Sequence, residues 1–431
     1  MPRDPFARRG TPSALRTIAL ASVLALAVWA CMFRGVRRDI EMVGRLGSVR
    51  GTVVLDGVGR GDILVVVYAP GASEAADVFT LAAPGKYLFV LPPGTYRIAA
   101  FEDVNGDRVF QPDAELAGRY GNPTDIHLGA GENMSGVDIH LGPDIPARVE
   151  IPPRLPEAGS RGVKGLPDIQ VGTIVSLDDP RFSAENGRFG MWEPVEFMFT
   201  VGAGIYFLEE CDASRTPILF VHGIGGYPTE FKYLVGKLDR RRFQPWFAYY
   251  PSGLDLDRVA DGFARWMQVL QVRCGFRRLV VVAHSMGGLV ARAFIERVAG
   301  DHAAPTINGI DTFVSISTPW GGHTAAALGV EHAPEVVPAW RDLVPGCPFL
   351  ESLMGHPLPP GVRYYLFFGF GGGGDSPFLR GANDGVVAVA SELDPRAQGA
   401  AIRMFGYDET HTGILNSEAV AAQLNAVLGT P

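Results

Sequence analysis

The pattern of apolar and polar positions predicts two differently built regions. Between about Ser48 and Leu141, short runs rich in β-branched and aromatic residues, such as 87–91 and 96–101, alternate with Gly, Pro and Asn turns. Several short strands separated by turns are typical of an antiparallel sandwich. We therefore expect an all-β sandwich domain over residues 48–142.

The C-terminal half follows a different pattern, in which continuous apolar runs alternate with helical ones. Residues 218–221 and 279–283 are apolar throughout, as strands buried on both faces should be. Within 256–272 the apolar residues recur at helical spacing. Alternating strands and helices predict an α/β fold with a mostly parallel sheet covered by helices, which we place at residues 191–431.

Many prolines and few periodic segments lie between these two regions. We interpret residues 143–190 as an extended, proline-rich linker. A length of 431 residues fits two or three domains, so this division accounts for the chain.

The first 38 residues have the features of a targeting segment. Several arginines precede an apolar run of 17 residues, 17–33, which is the usual arrangement of an export signal and just long enough to span a bilayer. Three outcomes fit residues 1–38: cleavage after Ala30, lipidation of Cys31, or retention as a membrane anchor. Each predicts an exported protein of the cell envelope, membrane-anchored or a lipoprotein, or otherwise periplasmic or secreted.

Composition narrows the possible functions. Apolar residues make up 47% of the chain and charged residues 19%, which excludes a disordered chain. A net charge of −8 without a long basic run argues against nucleic-acid binding. The four cysteines lack CxxC spacing, which argues against a zinc or redox site. Whether Cys211, Cys274 and Cys347 form one disulfide or none stays open.

One acidic loop in the β region has the spacing of a calcium site. Asp103, Asn105 and Asp107 place oxygen side chains at every second position, and calcium binds such hard ligands. The loop departs from an EF-hand, because Arg108 stands at the sixth position, where Gly belongs. A turn in which these side chains bind their own backbone is the favoured alternative.

The strongest chemical signal is residues 283–288, Ala-His-Ser-Met-Gly-Gly, between an apolar strand and a helix. Small residues on both sides of Ser285 suit the sharp turn of a nucleophile elbow. That turn would hold the Ser285 hydroxyl at a helix N-terminus, where a developing anion is stabilised. A serine nucleophile also needs a base and an acid that orients the base.

In this arrangement the acid and then the histidine follow the serine along the chain. His411 lies after the last predicted strand and before the final helix, so we predict it as the base. Asp384, in the tight turn Asn-Asp-Gly-Val-Val, is predicted to orient His411, with Asp375 and Asp394 as alternatives. The other histidines after Ser285 are His302, His323, His332 and His356. This chemistry requires no metal or other cofactor.

Two backbone N–H groups are needed to bind the oxyanion. One is predicted to be that of Met286, directly after the nucleophile. The second is predicted to be that of Ile224, in the glycine-rich segment 222–226 that follows a strand. We expect His222 to be structural and to bond within this loop.

Together, 222–226 and 283–288 resemble the corresponding motifs of α/β-hydrolase lipases and esterases, notably bacterial lipases with Ala before the elbow. Residues 317–322 are similar to the TP-x-x-G segment of that family, and 344–350 to its PGSxFL stretch. This resemblance covers about residues 217–428 and implies the α/β-hydrolase fold, acyl-ester hydrolysis and a Ser-Asp-His triad. In the β region, 91–96 resemble the PPGxY turn of carboxypeptidase-regulatory-like and prealbumin-like sandwiches.

An apolar, proline-containing insertion at 323–360 is predicted to form a partly helical cap over Ser285. Trp320 is expected either to line an acyl pocket or to pack beneath the cap, and Tyr227 to form the opposite wall. An apolar pocket suits a hydrophobic or lipid ester. The alternative is that the insertion only covers the sheet.

Three functions agree with these features. The first is a serine esterase or lipase that cleaves hydrophobic esters through an acyl-enzyme, with membrane association through the N-terminal segment. The second is an acyltransferase that uses the same triad. The third is an envelope-attached binding protein in which the β domain is the functional module.

Overall fold

The short strands of the N-terminal region pair into two sheets. The computed structural model describes residues 35–121, 125–142, 151–156, 169–299, 309–373 and 379–429. The strands of this region are β1 (Gly47–Leu55), β2 (Asp62–Tyr68), β3 (Asp77–Leu81), β4 (Lys86–Leu91), β5 (Gly94–Asp103), β6 (Ala117–Arg119), β7 (Ile126–Leu128), β8 (Asn133–Met134) and β9 (Ile139–Leu141). One sheet contains β4, β1, β8 and β9, and the other contains β3, β2, β5, β6 and β7.

Both sheets contribute apolar side chains to one core. Val49 on β1, Val65 on β2 and Phe89 on β4 are fully buried there. The sequence predicted an antiparallel sandwich. The structure differs in part, because β1 runs parallel to β8 and β9. The chain reaches those strands through long connections rather than through a tight hairpin, which would force an antiparallel pair.

Residues 35–45 form a helix, α1, that precedes β1. Asp39 on this helix is buried, and its carboxylate accepts a hydrogen bond of 2.8 Å from the backbone N–H of Val195 in the C-terminal half. Val36, near the end of the predicted targeting segment, is also buried on this helix, whereas the apolar run 17–33 lies outside the described residues. None of the helices in the described ranges combines the length and apolar character that crossing a membrane requires.

The C-terminal half is built on one eight-stranded sheet. Its strands are β10 (Gln170–Ile174), β11 (Gly204–Phe207), β12 (Thr216–Val221), β13 (Phe243–Tyr249), β14 (Leu279–His284), β15 (Ile310–Ile316), β16 (Arg363–Gly369) and β17 (Arg403–Tyr407). The order across the sheet is β10-β11-β13-β12-β14-β15-β16-β17. β11 and β13 are antiparallel, and all other neighbours are parallel.

Helices cover both faces of this sheet. They are α2 (Ala184–Trp192), α3 (Pro194–Thr200), α4 (Lys232–Gly236), α5 (Leu256–Cys274), α6 (Met286–Ala299), α7 (Thr324–His332), α8 (Pro338–Leu343), α9 (Pro348–Gly355), α10 (Val389–Glu392), α11 (Pro395–Ala400) and α12 (Glu418–Gly429). The apolar residues that recur along α5 are buried in a core with α6 on one face, and α4 and α12 pack on the other face. The prediction of a mostly parallel sheet between helices is confirmed.

The C-terminal domain begins earlier than the sequence indicated. β10 lies inside the stretch predicted as a linker, 143–190, and pairs with β11 of the sheet. Its residue Val171 is buried in the core. The prolines dominate the start of that stretch, and its end supplies an edge strand that is too short to show a clear period. The insertion 323–360 is helical in part, as predicted, and contains α7, α8 and α9.

One disulfide and several ion pairs fix the elements around α5. Cys211 and Cys274 are bonded, with their Cα atoms 5.9 Å apart, and Cys347 is a free, buried thiol. On the opposite side, Arg265 of α5 contacts Asp77 of β3 at 2.5 Å, which joins the C-terminal domain to the β domain.

Candidate active site

Ser285 lies at the sharp turn between β14 and α6. Its backbone φ is +56°, a left-handed conformation that is uncommon for a residue with a side chain and recurs at functional sites. Gly287 and Gly288 follow in the elbow, and no larger side chain would fit at either position. A Cβ at Gly287 would lie 2.3 Å from the carbonyl oxygen of His222, and one at Gly288 would lie 2.0 Å from Thr318 Oγ1.

Asp384 and His411 come together at the carboxyl edge of the sheet, where parallel strands end. Oδ2 of Asp384 lies 2.5 Å from Nδ1 of His411, and both side chains are almost fully buried. An ionised carboxylate accepts a hydrogen bond, so Nδ1 carries the proton and Nε2 of His411 is left as an acceptor. This tautomer is the one that a general base requires.

The turn around Asp384 keeps its carboxyl group ionised. The N–H groups of Val386 and Val387 donate to Oδ1 at 2.9 and 2.6 Å. Burial alone would raise the pKa of Asp384, but these donors and the hydrogen bond and charge of His411 outweigh it and lower the pKa to about 2.

The backbone of His411 is fixed on both sides. Its N–H donates to the carbonyl oxygen of Asp384 at 2.8 Å, and its own carbonyl oxygen accepts from Nε2 of His284 at 2.8 Å. Burial lowers the pKa of His284 to about 3, so this imidazole stays neutral and can only donate from one nitrogen. Sequence analysis gave no role to His284, although its place beside Ser285 in the elbow was a usable signal.

The glycine-rich loop after β12 approaches Ser285 closely. A Cβ at Gly223 would lie 2.7 Å from Cβ of Ser285 and 3.1 Å from its Oγ. The N–H of Gly225 donates to the Ser252 hydroxyl at 2.8 Å, which holds the far side of the loop. Ile224 lies between these points and is partly exposed. Met286 is in the first turn of α6, where N–H groups have no acceptor within the helix.

His222 bonds within its own loop, as expected from the sequence. Its Nδ1 is 2.8 Å from the carbonyl oxygen of Gly223, and the Tyr250 hydroxyl donates to the carbonyl oxygen of His222 at 2.6 Å. The two rings stack with centroids 4.2 Å apart. Burial lowers the pKa of His222 to about 4, so the ring is a neutral support for the loop.

The residues considered as alternatives to Asp384 and His411 have other hydrogen-bond partners or lie outside the described residues. Asp394 accepts from the N–H of Arg396 at 2.8 Å and caps α11, while Asp375 and His302 lie outside the described residues. His323 caps α7 and bridges to the carbonyl oxygen of Val386 at 2.7 Å, which ties the insertion to the turn of Asp384.

The two predicted pocket residues differ in exposure. Tyr227 is partly exposed beside the glycine-rich loop. Trp320 is fully buried, with its ring 6.3 Å from that of Phe313 and 5.9 Å from that of Tyr364. Trp320 therefore packs inside the domain rather than on an open wall. The Thr318-Pro319 bend that follows β15 turns the indole back onto the sheet.

The acidic loop of the β domain binds its own backbone. Oδ1 of Asp103 accepts from Gly106 N–H at 2.9 Å, and Oδ1 of Asp107 accepts from Val109 N–H at 2.8 Å. Nδ2 of Asn105 donates to Oδ2 of Asp107 at 2.9 Å. These bonds are those of the Asx-turn alternative.

Within the described ranges, one group of side chains has the spacing of a metal site. Its members are Asp384, Glu392 and His411, whose possible ligand atoms lie within 4.8 Å of one another. Two of these three already bond to one another. Glu392 was missed by sequence reasoning, because a single acid in the short helix α10 has no distinguishing pattern.

The family comparison matches the part of the chain that contains the elbow and the glycine-rich loop. Residues 217–333 match the family model described as "Putative serine esterase (DUF676)". This segment of the C-terminal domain is therefore similar to that serine esterase family.

Solved structures resemble about half of the chain. The gene lin2722 product of Listeria innocua is 17% identical, with a TM-score of 0.39, and the match covers 50% of this chain and 95% of that one. The mature lipase BlEst2 of Bacillus licheniformis is 19% identical, with a TM-score of 0.40 and coverage of 52% and 95%. An esterase from Pyrococcus furiosus is 14% identical, with a TM-score of 0.34 and coverage of 50% and 80%. No curated protein matches the chain.

Proposed function

We propose that this protein is an exported serine hydrolase that cleaves carboxylic esters with an apolar acyl group, using Ser285, Asp384 and His411 as a catalytic triad. The observation that carries the proposal is the buried 2.5 Å contact between Asp384 and His411, at the sheet edge where the strained Ser285 turn also lies. The esterase family match over 217–333 supports the reaction class.

In the proposed reaction, Oγ of Ser285 attacks the ester carbonyl carbon and its proton passes to Nε2 of His411. The N–H groups of Ile224 and Met286 bind the resulting oxyanion. When the C–O bond to the alcohol breaks, His411 gives that proton to the departing oxygen. A water molecule then attacks the acyl-enzyme and gives its proton to His411, and His411 returns that proton to Ser285 Oγ as the acyl C–O bond breaks and the acid is released. Asp384 stabilises the imidazolium in both halves.

The proposal of an apolar acyl group rests on the surroundings of the loop and the insertion. Ile224 and Tyr227 are partly buried against the main apolar core, as is Trp340 on α8. Sites with such walls favour hydrophobic esters over charged ones.

Export is supported by two independent features. The basic N-terminus and the apolar run 17–33 have the arrangement of an export signal. The Cys211–Cys274 disulfide is of the kind that persists in oxidising compartments. Fractionation of cells that express the full chain would locate it, and recovery of the protein with reduced cysteines in the cytosol would contradict export.

The test of function uses p-nitrophenyl esters of increasing acyl length with the full chain in detergent. We expect hydrolysis that Ser285→Ala lowers by about 10⁴-fold or more. Ser214→Ala, at an exposed serine, is the matched control and should keep full activity. A folded wild-type protein without activity, and without fluorophosphonate labelling of Ser285, would refute the hydrolase. An ester product formed preferentially with an added alcohol would instead indicate an acyltransferase.

A further inference from the structure

Glu392 is a buried carboxyl group that the proposed mechanism does not use. It lies on α10, soon after the turn that carries Asp384, and it is 1% exposed. Its Oε2 accepts from the N–H of Gly369 at 3.1 Å. Its Oε1 is buried without a hydrogen-bond partner. An ionised carboxylate left in this state would be costly, because water no longer solvates it.

The charged residue that acts on Glu392 is Asp384. A carboxyl oxygen of each residue and a ring nitrogen of His411 lie within 4.8 Å of one another. Burial and the charge of Asp384 raise the pKa of Glu392 to about 10, while the pKa of Asp384 is lowered to about 2. Two adjacent buried carboxyl groups cannot both ionise easily, so near neutral pH Asp384 carries the charge and Glu392 carries a proton.

Among the described residues, no cation acts on Glu392. Burial lowers the pKa values of His284 and His323, which keeps both rings neutral near pH 7. Ser317 directly follows β15, and its buried side chain interacts with Glu392. Its backbone φ is +48°. Backbone strain beside a buried polar cluster is typical of functional sites.

Gly369 allows the cluster to form. A Cβ at this position would lie 3.1 Å from Cβ of Asp384 and 3.4 Å from Oγ of Ser317. Because Gly369 also donates to Glu392, the end of β16 holds Glu392 in place and leaves room for Asp384.

We propose that Glu392 is a positioning residue: a neutral carboxylic acid that packs behind Asp384, directs its O–H towards the Asp384 carboxylate and keeps that carboxylate aligned with His411. This inference rests on the proposed function. The neutral acid supports Asp384 without adding a second negative charge. A second charge would hold a proton on His411 and remove it as a base.

The kinetic test compares Glu392→Gln with Glu392→Leu. Gln is neutral, similar in shape and able to donate, so we expect its kcat to stay within about threefold of wild type. Leu removes the polar group, so we expect kcat to fall by about 10- to 100-fold, with little change in KM and a shifted acid limb of the pH profile. Asp408→Asn, an exposed acid on the loop before His411, is the control and should match wild type.

Protonation of Glu392 is tested without activity. At pH 8.5 ordinary carboxyl groups are ionised, and so are Glu230 and Asp342, whose pKa values burial raises to about 7 and about 6. The infrared difference spectrum between wild type and Glu392→Gln should therefore contain the C=O band of a protonated acid. The raised pKa also means that wild type loses stability as pH rises from about 4.5 to about 10. The Tm advantage of Glu392→Gln should grow over that range.

Three results would overturn the inference. One is a Gln variant as inactive as the Leu variant, since an ionised Glu392 would then be needed. Another is a Leu variant with wild-type kcat and pH profile. The third is absence of the protonated-acid band, which also decides the matter if the Leu variant does not fold. Wild-type protein that hydrolyses no ester would refute the proposed function, and the infrared and Tm measurements would still test the state of Glu392.

Discussion

Gly223 determines how closely the glycine-rich loop approaches the nucleophile. The position of a Cβ there, 2.7 Å from Cβ of Ser285, is nearer than side-chain carbons approach one another. Any side chain at this position must push the loop away from Ser285. The N–H of Ile224 would move with it, and an oxyanion donor works only within hydrogen-bond distance of the charge.

We therefore expect Gly223→Ala to lower kcat by about 10²-fold or more, the loss that follows removal of one oxyanion donor. The measurement is ester hydrolysis at saturating substrate. Gly236→Ala is the matched control, because nothing lies within 4 Å of a Cβ there and the residue ends α4. Equal activity of Gly223→Ala and wild type would show that this loop does not bind the oxyanion.

The candidate site was predictable residue by residue where chain order carries the information. The elbow motif is local, and the order Ser285, Asp384, His411 follows from the strands between them. His284 and Glu392 were not predictable in this way. Their surroundings come from residues far away in sequence, such as His411, 127 positions from His284.

At the scale of elements, the disulfide closes the connection from the end of β11 to the end of α5. Cys211 and Cys274 are separated by 63 residues, a stretch that includes β12 and β13 at the centre of the sheet. A bond across a long loop restricts the unfolded chain more than the folded one. Cys274 is the last residue of α5, so the bond lies at the C-terminus of that helix.

Replacing both cysteines, Cys211→Ser with Cys274→Ser, should lower the free energy of unfolding by about 4 kcal/mol, the loop-entropy value for a loop of this length. We expect the loss in urea unfolding curves, with kcat nearly unchanged. Cys347→Ala, which removes a free thiol, is the comparison. Equal stability of the double variant and wild type would mean that the bridge does not restrict the unfolded chain as expected.

At the scale of the whole molecule, a mostly buried arginine fixes the β domain on the C-terminal domain. Arg265 of α5 lies over the rings of Phe79 and Phe89, at 5.6 and 5.7 Å from their centroids, and bonds to Asp77, which is 1% exposed. A buried pair is costly to break from one side, because the remaining charge is left unpaired. The exposed pair of Arg50 and Asp261 beside it is weaker.

We expect Arg265→Ala to weaken this interface by about 3–5 kcal/mol, enough to let the two domains separate. Limited proteolysis between the domains and an increased radius of gyration in solution scattering are the measurements. Arg50→Ala should change neither, because exposed ion pairs contribute about 0–1 kcal/mol. If Arg265→Ala is as compact and resistant as Arg50→Ala, other contacts hold the domains together.

The sequence by itself determined the β region, the α/β domain, the nucleophile turn and the order of the candidate triad. Each depends on local periodicity, on turn residues or on chain order, which neighbouring positions encode. Tertiary structure decided what depends on contacts between distant segments. It placed β10 in the sheet although the sequence favoured a linker, paired Cys211 with Cys274, turned Trp320 into the core and set Glu392 beside Asp384. These outcomes follow from which surfaces meet when the sheet closes, and no single segment carries that information.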